Sequence, residues 1–159
     1  VETRIAKLAR GEADATLLAL AGLKRLGLTD RPHRPLSTEE MLPAVAQGAI
    51  ALEARSGDMA TGALLAAIDH LPSRLRVTAE RACLAALDGS CHTPIAALAE
   101  LEGETLHLRG LVVLPDGSQA HHAQASAPAA DARTLGEAVG AELRAKAGES
   151  FFAALAAST

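Results

Sequence analysis

The residue best suited to covalent chemistry in this sequence is Cys91, which stands in the segment Gly89–Pro94 (GSCHTP) between a predicted helix end and a proline. A thiol in such a loop is exposed, and it becomes a nucleophile or an attachment point when a nearby cation or helix terminus lowers its pKa. The other cysteine, Cys83, falls on the apolar face of a predicted helix and is expected in the core. Cys91 is therefore the candidate reactive thiol.

Three histidines raise the question of a hydrolase or a metal site. His92 follows Cys91, but adjacent side chains in an extended loop point apart, and no third residue that would orient such a pair is evident. His121 and His122 fall on a predicted strand, where neighbours face opposite sides, so at most one could join a metal cluster. We expect both to be solvated strand residues and predict no metal site.

Positive charge is concentrated at the N-terminal end, although the whole chain carries a net charge of −4. Residues 1–34 hold seven Lys/Arg and four Asp/Glu, whereas residues 35–159 hold eight and fifteen. Guanidinium groups such as those of Arg4 and Arg25 suit carboxylates, because their planar fork donates two parallel hydrogen bonds. A solvated helix face is the alternative interpretation of the same charges.

Composition excludes several classes of function. With 1% aromatic residues, no Trp and no Tyr, the chain lacks the stacking platforms of single-stranded nucleic-acid binders, and its acidic balance gives no attraction to DNA. No run approaches the roughly 18 consecutive apolar residues of a membrane span. The two cysteines lack the spacing of a disulfide framework or zinc site, which favours a reducing compartment. We therefore expect neither a nucleic-acid nor a membrane partner.

The first 70 residues predict mainly local elements. Apolar spacing predicts a helix over Thr3–Arg10, a buried parallel strand over Ala15–Leu20 and a helix over Ala21–Gly27. A helix, a strand and a helix in such quick succession indicate an α/β fragment. Residues 43–53 are predicted to be extended and Asp58–Asp69 helical, a pattern typical of a segment that crosses between domains.

The remaining residues, 71–159, predict a self-contained α+β unit. Its strongest helix starts at Pro72 and ends at Asp88-Gly89-Ser90, and a second helix covers Asp131–Lys146 until Gly148 stops it before a short terminal helix. Between the two long helices, residues 95–101, 105–114 and 118–126 predict three strands joined as an antiparallel meander.

Five blocks of this sequence together resemble the hydroxymethylbilane synthases, also called porphobilinogen deaminases, which are transferases of tetrapyrrole biosynthesis. The blocks are VETRIAKL (1–8), AGLKRLG (21–27), LPAVAQGA (42–49), VTAERA (77–82) and GSCHTPI (89–95). They occur in the family's order along almost the whole chain. Five ordered blocks are far more specific than any single one.

The resemblance implies a domain organisation. Residues 1–42 would complete the second domain of a periplasmic-binding-protein-like α/β pair, residues 43–70 would cross into the first domain, and residues 71–159 would form a C-terminal α+β domain that anchors the cofactor. It also implies a missing N-terminal half with the catalytic Asp. We therefore assign no catalytic residue within this sequence and expect no turnover from it alone.

The resemblance also implies the chemistry. A dipyrromethane cofactor would be joined to Cys91 by a thioether, and four porphobilinogen units would be added to it with loss of ammonia to give hydroxymethylbilane. Arg4 and Arg25 match family arginines that bind the carboxylates of cofactor and substrate, and Gln47 and Gly48 match a segment that lines the cleft. The implied partners are porphobilinogen, the growing polypyrrole and the missing half, in a cytoplasmic protein that is monomeric at full length.

Three positions depart from the family pattern. Ala46 stands where the family usually has Gly, and Ser90 replaces the second Gly before the cysteine, so backbone freedom is reduced at both places. His92 stands where the family commonly has Gln. The rival interpretation from another class is a non-catalytic α+β interaction module in which Cys91 is only an exposed thiol.

Overall fold

The alternating apolar pattern after residue 94 produces an antiparallel sheet, seen here in a computed structural model that describes residues 1–89 and 93–157. Its strands are β1 (Ile95–Glu102), β2 (Thr105–Val113) and β3 (Ala120–Pro128), in the order β1-β2-β3. Both pairings are antiparallel. The predicted three-stranded meander is therefore confirmed.

Two helices cover one face of this sheet. Helices α4 (Leu71–Ala86) and α5 (Ala132–Ala157) pack together on the side chains that alternate inward along the strands. The largest fully buried side chains of this core are Phe151, Leu106, Leu108, Leu143, Val112, Val139 and Cys83. Gly148 has a φ of +75° and interrupts α5, so the predicted stop and terminal helix are confirmed. The unit that contains these elements is Leu42–Thr159.

Small residues let α4 and α5 approach closely. A Cβ placed on Gly136 would lie 2.1 Å from the Ala79 carbonyl oxygen, and one on Gly140 would lie 2.8 Å from the Cys83 carbonyl oxygen. Backbone atoms of one helix thus occupy the space that side chains would need on the other. Cys83 lies beside this crossing with 0% exposure, which confirms its predicted place in the core.

The other compact unit, Val1–Met41, contains α1 (Glu2–Ala9) and α2 (Leu20–Arg25). Both helices were expected, but the predicted strand over Ala15–Leu20 is wrong: residues 15–19 form no regular element, and Leu17 is 58% exposed. A strand needs a neighbour for its N–H and C=O groups, and no strand occurs within residues 1–41, all of which are described. The periplasmic-binding-protein-like domain pair stays a prediction.

The segment before α4 contains one predicted helix and one unexpected bend. Helix α3 (Met59–Ala66) begins after Asp58, whose carboxylate accepts a hydrogen bond from the Thr61 N–H at 3.0 Å. Residues 43–53 were predicted to be extended, but turns interrupt them over residues 45–48. Just before the turns, Ala44 forms an antiparallel bridge with Ala96 of β1.

Candidate functional site

Gln47 and Gly48, two of the predicted substrate-binding residues, lie in two successive turns. The Gln47 N–H donates to the Ala44 carbonyl oxygen at 3.0 Å, and the Ala49 N–H donates to the Ala46 carbonyl oxygen at 3.1 Å. The third residue of each turn is left-handed, with φ of +57° at Ala46 and +84° at Gly48. Gly48 adopts this conformation at little cost, whereas Ala46 is strained by its Cβ. Both Gln47 and Gly48 are exposed.

A buried carboxylate on α4 holds this double turn. Glu80 is 6% exposed, and its Oε2 accepts a hydrogen bond from the Ala46 N–H at 2.7 Å. Its Oε1 accepts one from the Ala99 N–H of β1 at 2.9 Å. Val45, within the double turn, packs against the core. The double turn is therefore attached to both α4 and β1.

Burial and hydrogen bonding act on the Glu80 carboxyl in opposite directions. Desolvation raises its pKa, because the charged form loses its hydration. The N–H groups of Ala99 and Ala46, followed by the charge of Arg76, lower the pKa and offset part of this effect. Glu80 was not predicted as a site residue; a carboxylate next to Ala79, which lies on the predicted apolar face of the helix, is a signal that could have identified it.

Cys91, with Ser90 and His92, lies outside the described residues, so its role as an exposed reactive thiol stays a prediction. The chain leading into this loop has a defined conformation. The Asp88 N–H donates to the Ala85 carbonyl oxygen and the Gly89 N–H to the Leu84 carbonyl oxygen, each at 3.1 Å, with Asp88 left-handed. These bonds end α4 in a Schellman motif.

The chain leaving the loop is attached to the sheet. The Pro94 carbonyl oxygen accepts a hydrogen bond from the Val113 N–H of β2 at 3.2 Å. A Cβ on Gly89 would lie 2.6 Å from the terminal methyl groups of both Leu84 and Ile95, so a side chain there would displace its neighbours. The residues on both sides of the predicted cofactor loop are thus fixed by helix α4 and strand β2.

Arg144 of α5 binds the C-terminal end of α4. Its guanidinium donates to the Asp88 carboxylate at 2.6 Å and to the Ala86 carbonyl oxygen at 3.2 Å. It also lies over the Phe152 ring, 4.9 Å from the ring centre. No local sequence motif identifies this arrangement, because its partners lie 56 and 58 residues away.

The second cysteine is unsuited to nucleophilic chemistry. Burial raises the pKa of the Cys83 thiol to about 11. The reactive form of a cysteine is the thiolate, and at neutral pH the Cys83 thiol is protonated. It is also buried, so reagents cannot reach it. This confirms the prediction for Cys83, whereas the exposure and reactivity of Cys91 stay a prediction.

Arg4 and Arg25, the predicted carboxylate-binding residues, are exposed on the helices of the Val1–Met41 unit. One guanidinium nitrogen of Arg4 donates to the Leu17 carbonyl oxygen at 3.0 Å. Neither arginine forms an ion pair within residues 1–41, whereas Arg10 and Arg34 pair with acidic side chains at 2.5 and 2.6 Å. The N–H donors of Arg4 and Arg25 that remain can bind external carboxylates.

The two neighbouring histidines of β3 face opposite sides of the sheet, as expected. His122 is exposed, but His121 is half-buried, so the expectation that both are solvated is wrong. The His121 ring packs edge-on against Phe151 with its centre 5.2 Å away, and its Nε2 is buried without a hydrogen-bond partner. Within residues 1–89 and 93–157, no three His, Cys, Asp or Glu side chains gather in a group that could hold a metal ion.

Large apolar side chains are exposed before, along and just after α3. The most exposed is Ile50, at 91%, and Met59, Leu64 and Ile68 share this property. Apolar positions on all sides of one short helix are typical of a surface that contacts another protein segment. No helix in the described part of the chain has the length and apolar character needed to cross a membrane.

Comparison with protein families gives two adjacent matches. Residues 1–63 match the family model described as "Porphobilinogen deaminase, dipyromethane cofactor binding domain". Residues 74–145 match the model described as "Porphobilinogen deaminase, C-terminal domain". The double turn belongs to the first matched segment, whereas Glu80, β1, β2 and β3 belong to the second.

Individual relatives agree with these matches. The chain is 52% identical over 152 residues to a porphobilinogen deaminase of Nitrobacter hamburgensis and 53% identical over 152 residues to one of Paracoccus denitrificans. Each match covers 96% of this chain, but 48% and 49% of the respective relative. The chain thus spans about half the length of these curated relatives.

Proposed function

Because this chain belongs to the porphobilinogen deaminase family, we propose that it forms part of a transferase that joins four porphobilinogen units into hydroxymethylbilane, with release of four ammonia molecules and uptake of one water molecule. The observation that carries this proposal is the pair of family matches, which together extend over most of the chain at about half identity to curated relatives. Substrate and reaction follow from the name and chemistry of that family.

The cofactor of the proposed enzyme is a dipyrromethane joined to the Cys91 sulfur by a thioether. When bound, it supplies the pyrrole end from which the product chain grows. The donor chemistry of this chain fits the group, because a dipyrromethane carries acetate and propionate side chains and the guanidinium groups of Arg4 and Arg25 are not neutralised by acidic residues within 1–41. In our proposal Arg4 and Arg25 bind these carboxylates, while the Schellman motif and Arg144 orient the start of the Cys91 loop.

The double turn contains the two residues that we propose to bind substrate. Gln47 and Gly48 are exposed at turns whose backbone is fixed by hydrogen bonds, so their backbone polar groups are preorganised. Gln47 offers an amide donor and acceptor, and Gly48 leaves its backbone accessible because it has no side chain. We assign both residues to substrate binding.

The proton-transfer group is assigned to the half of the enzyme that this chain does not contain. We propose that residues 1–42 belong to the second domain, 43–70 to the first and 71–159 to the third. The apolar surface around Ile50 and α3 then packs against that other half, which explains its exposure here. We further propose that the complete enzyme is a cytoplasmic monomer and that this chain alone is inactive.

The proposal is tested by comparing two proteins: the chain alone, and the chain joined to the part of the Paracoccus denitrificans relative that lies outside the match. Porphobilinogen consumption and ammonia release are measured in both. We expect turnover, with one ammonia released for each porphobilinogen, only in the joined protein. A joined, folded protein with neither turnover nor a pyrrole adduct would contradict the proposal and favour the non-catalytic interaction module.

Arg4 offers a more specific test within the joined protein. Arg4→Lys keeps the positive charge but removes the planar fork, so we expect loss of turnover with folding intact. Arg10→Lys is the matched control on the same unit, because Arg10 already pairs with Glu12. Normal turnover of Arg4→Lys would remove Arg4 from the site.

A further inference from the structure

The carboxylate of Glu80 lies at the free edge of the sheet. Strand β1 is an edge strand, paired only with β2 among the strands of the described chain, so alternate N–H groups point away from the ladder. One of these, the Ala99 N–H, donates to Glu80 Oε1 at 2.9 Å. The second oxygen remains available and accepts from the Ala46 N–H at 2.7 Å. Glu80 therefore occupies the place of a neighbouring strand at this point.

The two N–H groups belong to different parts of the family pattern. Ala46 falls in the segment matched by the cofactor-domain model, and both Glu80 and Ala99 fall in the segment matched by the C-terminal-domain model. The Ala44–Ala96 bridge reinforces the same junction. One side chain thus connects the double turn to the C-terminal sheet.

An apolar residue in place of Glu80 could not accept these two hydrogen bonds. A methionine of similar size would avoid the cost of burying a charge, but it would leave two backbone N–H groups without acceptors. A glutamine offers one carbonyl oxygen, so its NH₂ group would face one of the two donors. Only a carboxylate accepts from both without rearrangement.

We propose that Glu80 is a positioning residue for substrate binding: by bridging the Ala46 and Ala99 N–H groups, it holds Ala46 in the left-handed conformation and so orients Gln47 and Gly48. This inference rests on the proposed function, which assigns these two residues to the substrate. Loss of the bridge allows Ala46 to leave the strained conformation, and the turn then presents Gln47 in a mixture of orientations. Substrate affinity falls, while the steps that follow binding change little.

The bridge itself is measured without activity. In the unmodified chain, we expect NMR to detect scalar coupling through the hydrogen bonds from the Ala46 and Ala99 amide nitrogens to the Glu80 side-chain carboxyl carbon. In Glu80→Gln we expect hydrogen exchange of the Ala46 amide to accelerate by about tenfold or more, while the amides of β2 stay protected. Glu137→Gln, at an exposed position of α5, is the control and leaves both readings unchanged.

The functional consequence is measured in the protein joined to the relative's remaining part. We expect Glu80→Gln to raise the KM for porphobilinogen by about tenfold or more, with kcat within about twofold of the unmodified protein. If Glu80→Gln does not fold, Ala46 is replaced by its α-hydroxy acid, which removes only the N–H donor and leaves the Glu80–Ala99 bond in place. The same rise in KM is expected from that change.

Two results would overturn the inference. One is an Ala46 amide that shows no coupling to Glu80 or exchanges equally slowly in Glu80→Gln. The other is a loosened turn with an unchanged KM, since the turn would then play no part in binding. Absence of porphobilinogen turnover in the unmodified joined protein is a different result, because it contradicts the proposed function while the NMR data still decide whether Glu80 holds the turn.

Discussion

The Ala46 N–H donates to a Glu80 carboxylate oxygen at 2.7 Å, across 34 residues of sequence. This bond holds an alanine in the left-handed conformation, at a position where the family resemblance leads us to expect glycine. Ala46 thus adopts a backbone conformation that favours glycine. Its cost is the steric strain of one Cβ.

Ala46→Gly should relieve that strain. The left-handed conformation destabilises a non-glycine residue by about 1–2 kcal/mol. Glycine removes this strain, but its greater conformational freedom in the unfolded chain lowers stability by about 0.5–1 kcal/mol. We expect the free energy of unfolding, measured by urea denaturation, to rise by up to about 1.5 kcal/mol. Gly48→Ala is the opposite change in the neighbouring turn and should lower stability. A destabilised Ala46→Gly would show that Ala46 is not strained.

The raised pKa of Glu80 predicts a pH-dependent contribution to stability. A carboxyl whose pKa is higher in the folded state than in the unfolded state binds its proton more tightly when folded, so its favourable contribution is complete below about 4.5 and is lost as the pH rises through the folded pKa. The difference in unfolding free energy between the unmodified chain and Glu80→Gln should therefore fall as the pH rises from about 4.5 through the folded pKa of Glu80. Urea denaturation at a series of pH values measures it. A difference that grows with pH would mean that the hydrogen bonds, rather than burial, dominate the pKa.

The close crossing of α4 and α5 makes Gly136 intolerant of a side chain. In Gly136→Ala the new Cβ would meet the Ala79 carbonyl oxygen at 2.1 Å, and backbone cannot move aside as a flexible side chain can. We expect a loss of about 3 kcal/mol or a failure to fold. Gly62→Ala in α3 is the matched control, because nothing lies within 4 Å of its new Cβ. That control should be neutral or stabilising by about 0.5–1 kcal/mol, and equal melting temperatures for the two variants would contradict the packing described here.

Alkylation should distinguish the two cysteines. Cys83 is buried with a pKa of about 11, so iodoacetamide at pH 7.5 should not modify it until the chain is unfolded. Cys91, if it carries no cofactor, should react in the native chain. Peptide mass spectrometry before and after denaturation locates the label. Native labelling of Cys83 at the rate of a free thiol would contradict its burial.

Periodic elements could be predicted from the sequence. The two long helices and the meander follow from apolar spacing that repeats over many residues, and Gly148 marks the break in α5 as expected. The strand predicted over Ala15–Leu20 failed for a physical reason. A short apolar run is compatible with several structures, and whether it becomes a strand depends on a partner that its own residues do not specify.

The site could be predicted only where a motif is local. Gln47 and Gly48 were predicted as substrate-binding residues through their sequence block, and that role stays a prediction, while the structure adds that they occupy a double turn. The support from Glu80 and Arg144 could not be predicted in the same way. Each acts on backbone atoms tens of residues away, so only the packing of α4 and α5 on the sheet brings them to those positions.

In the proposed enzyme, Cys91 carries the pyrrole cofactor on which porphobilinogen is polymerised. The most direct test is the mass of the denatured joined protein, followed by that of its Cys91 peptide. We predict an added mass equal to one dipyrromethane on Cys91, absent from Cys91→Ser and from the Cys83 peptide. A protein that consumes porphobilinogen while its Cys91 peptide keeps an unmodified thiol would contradict the account.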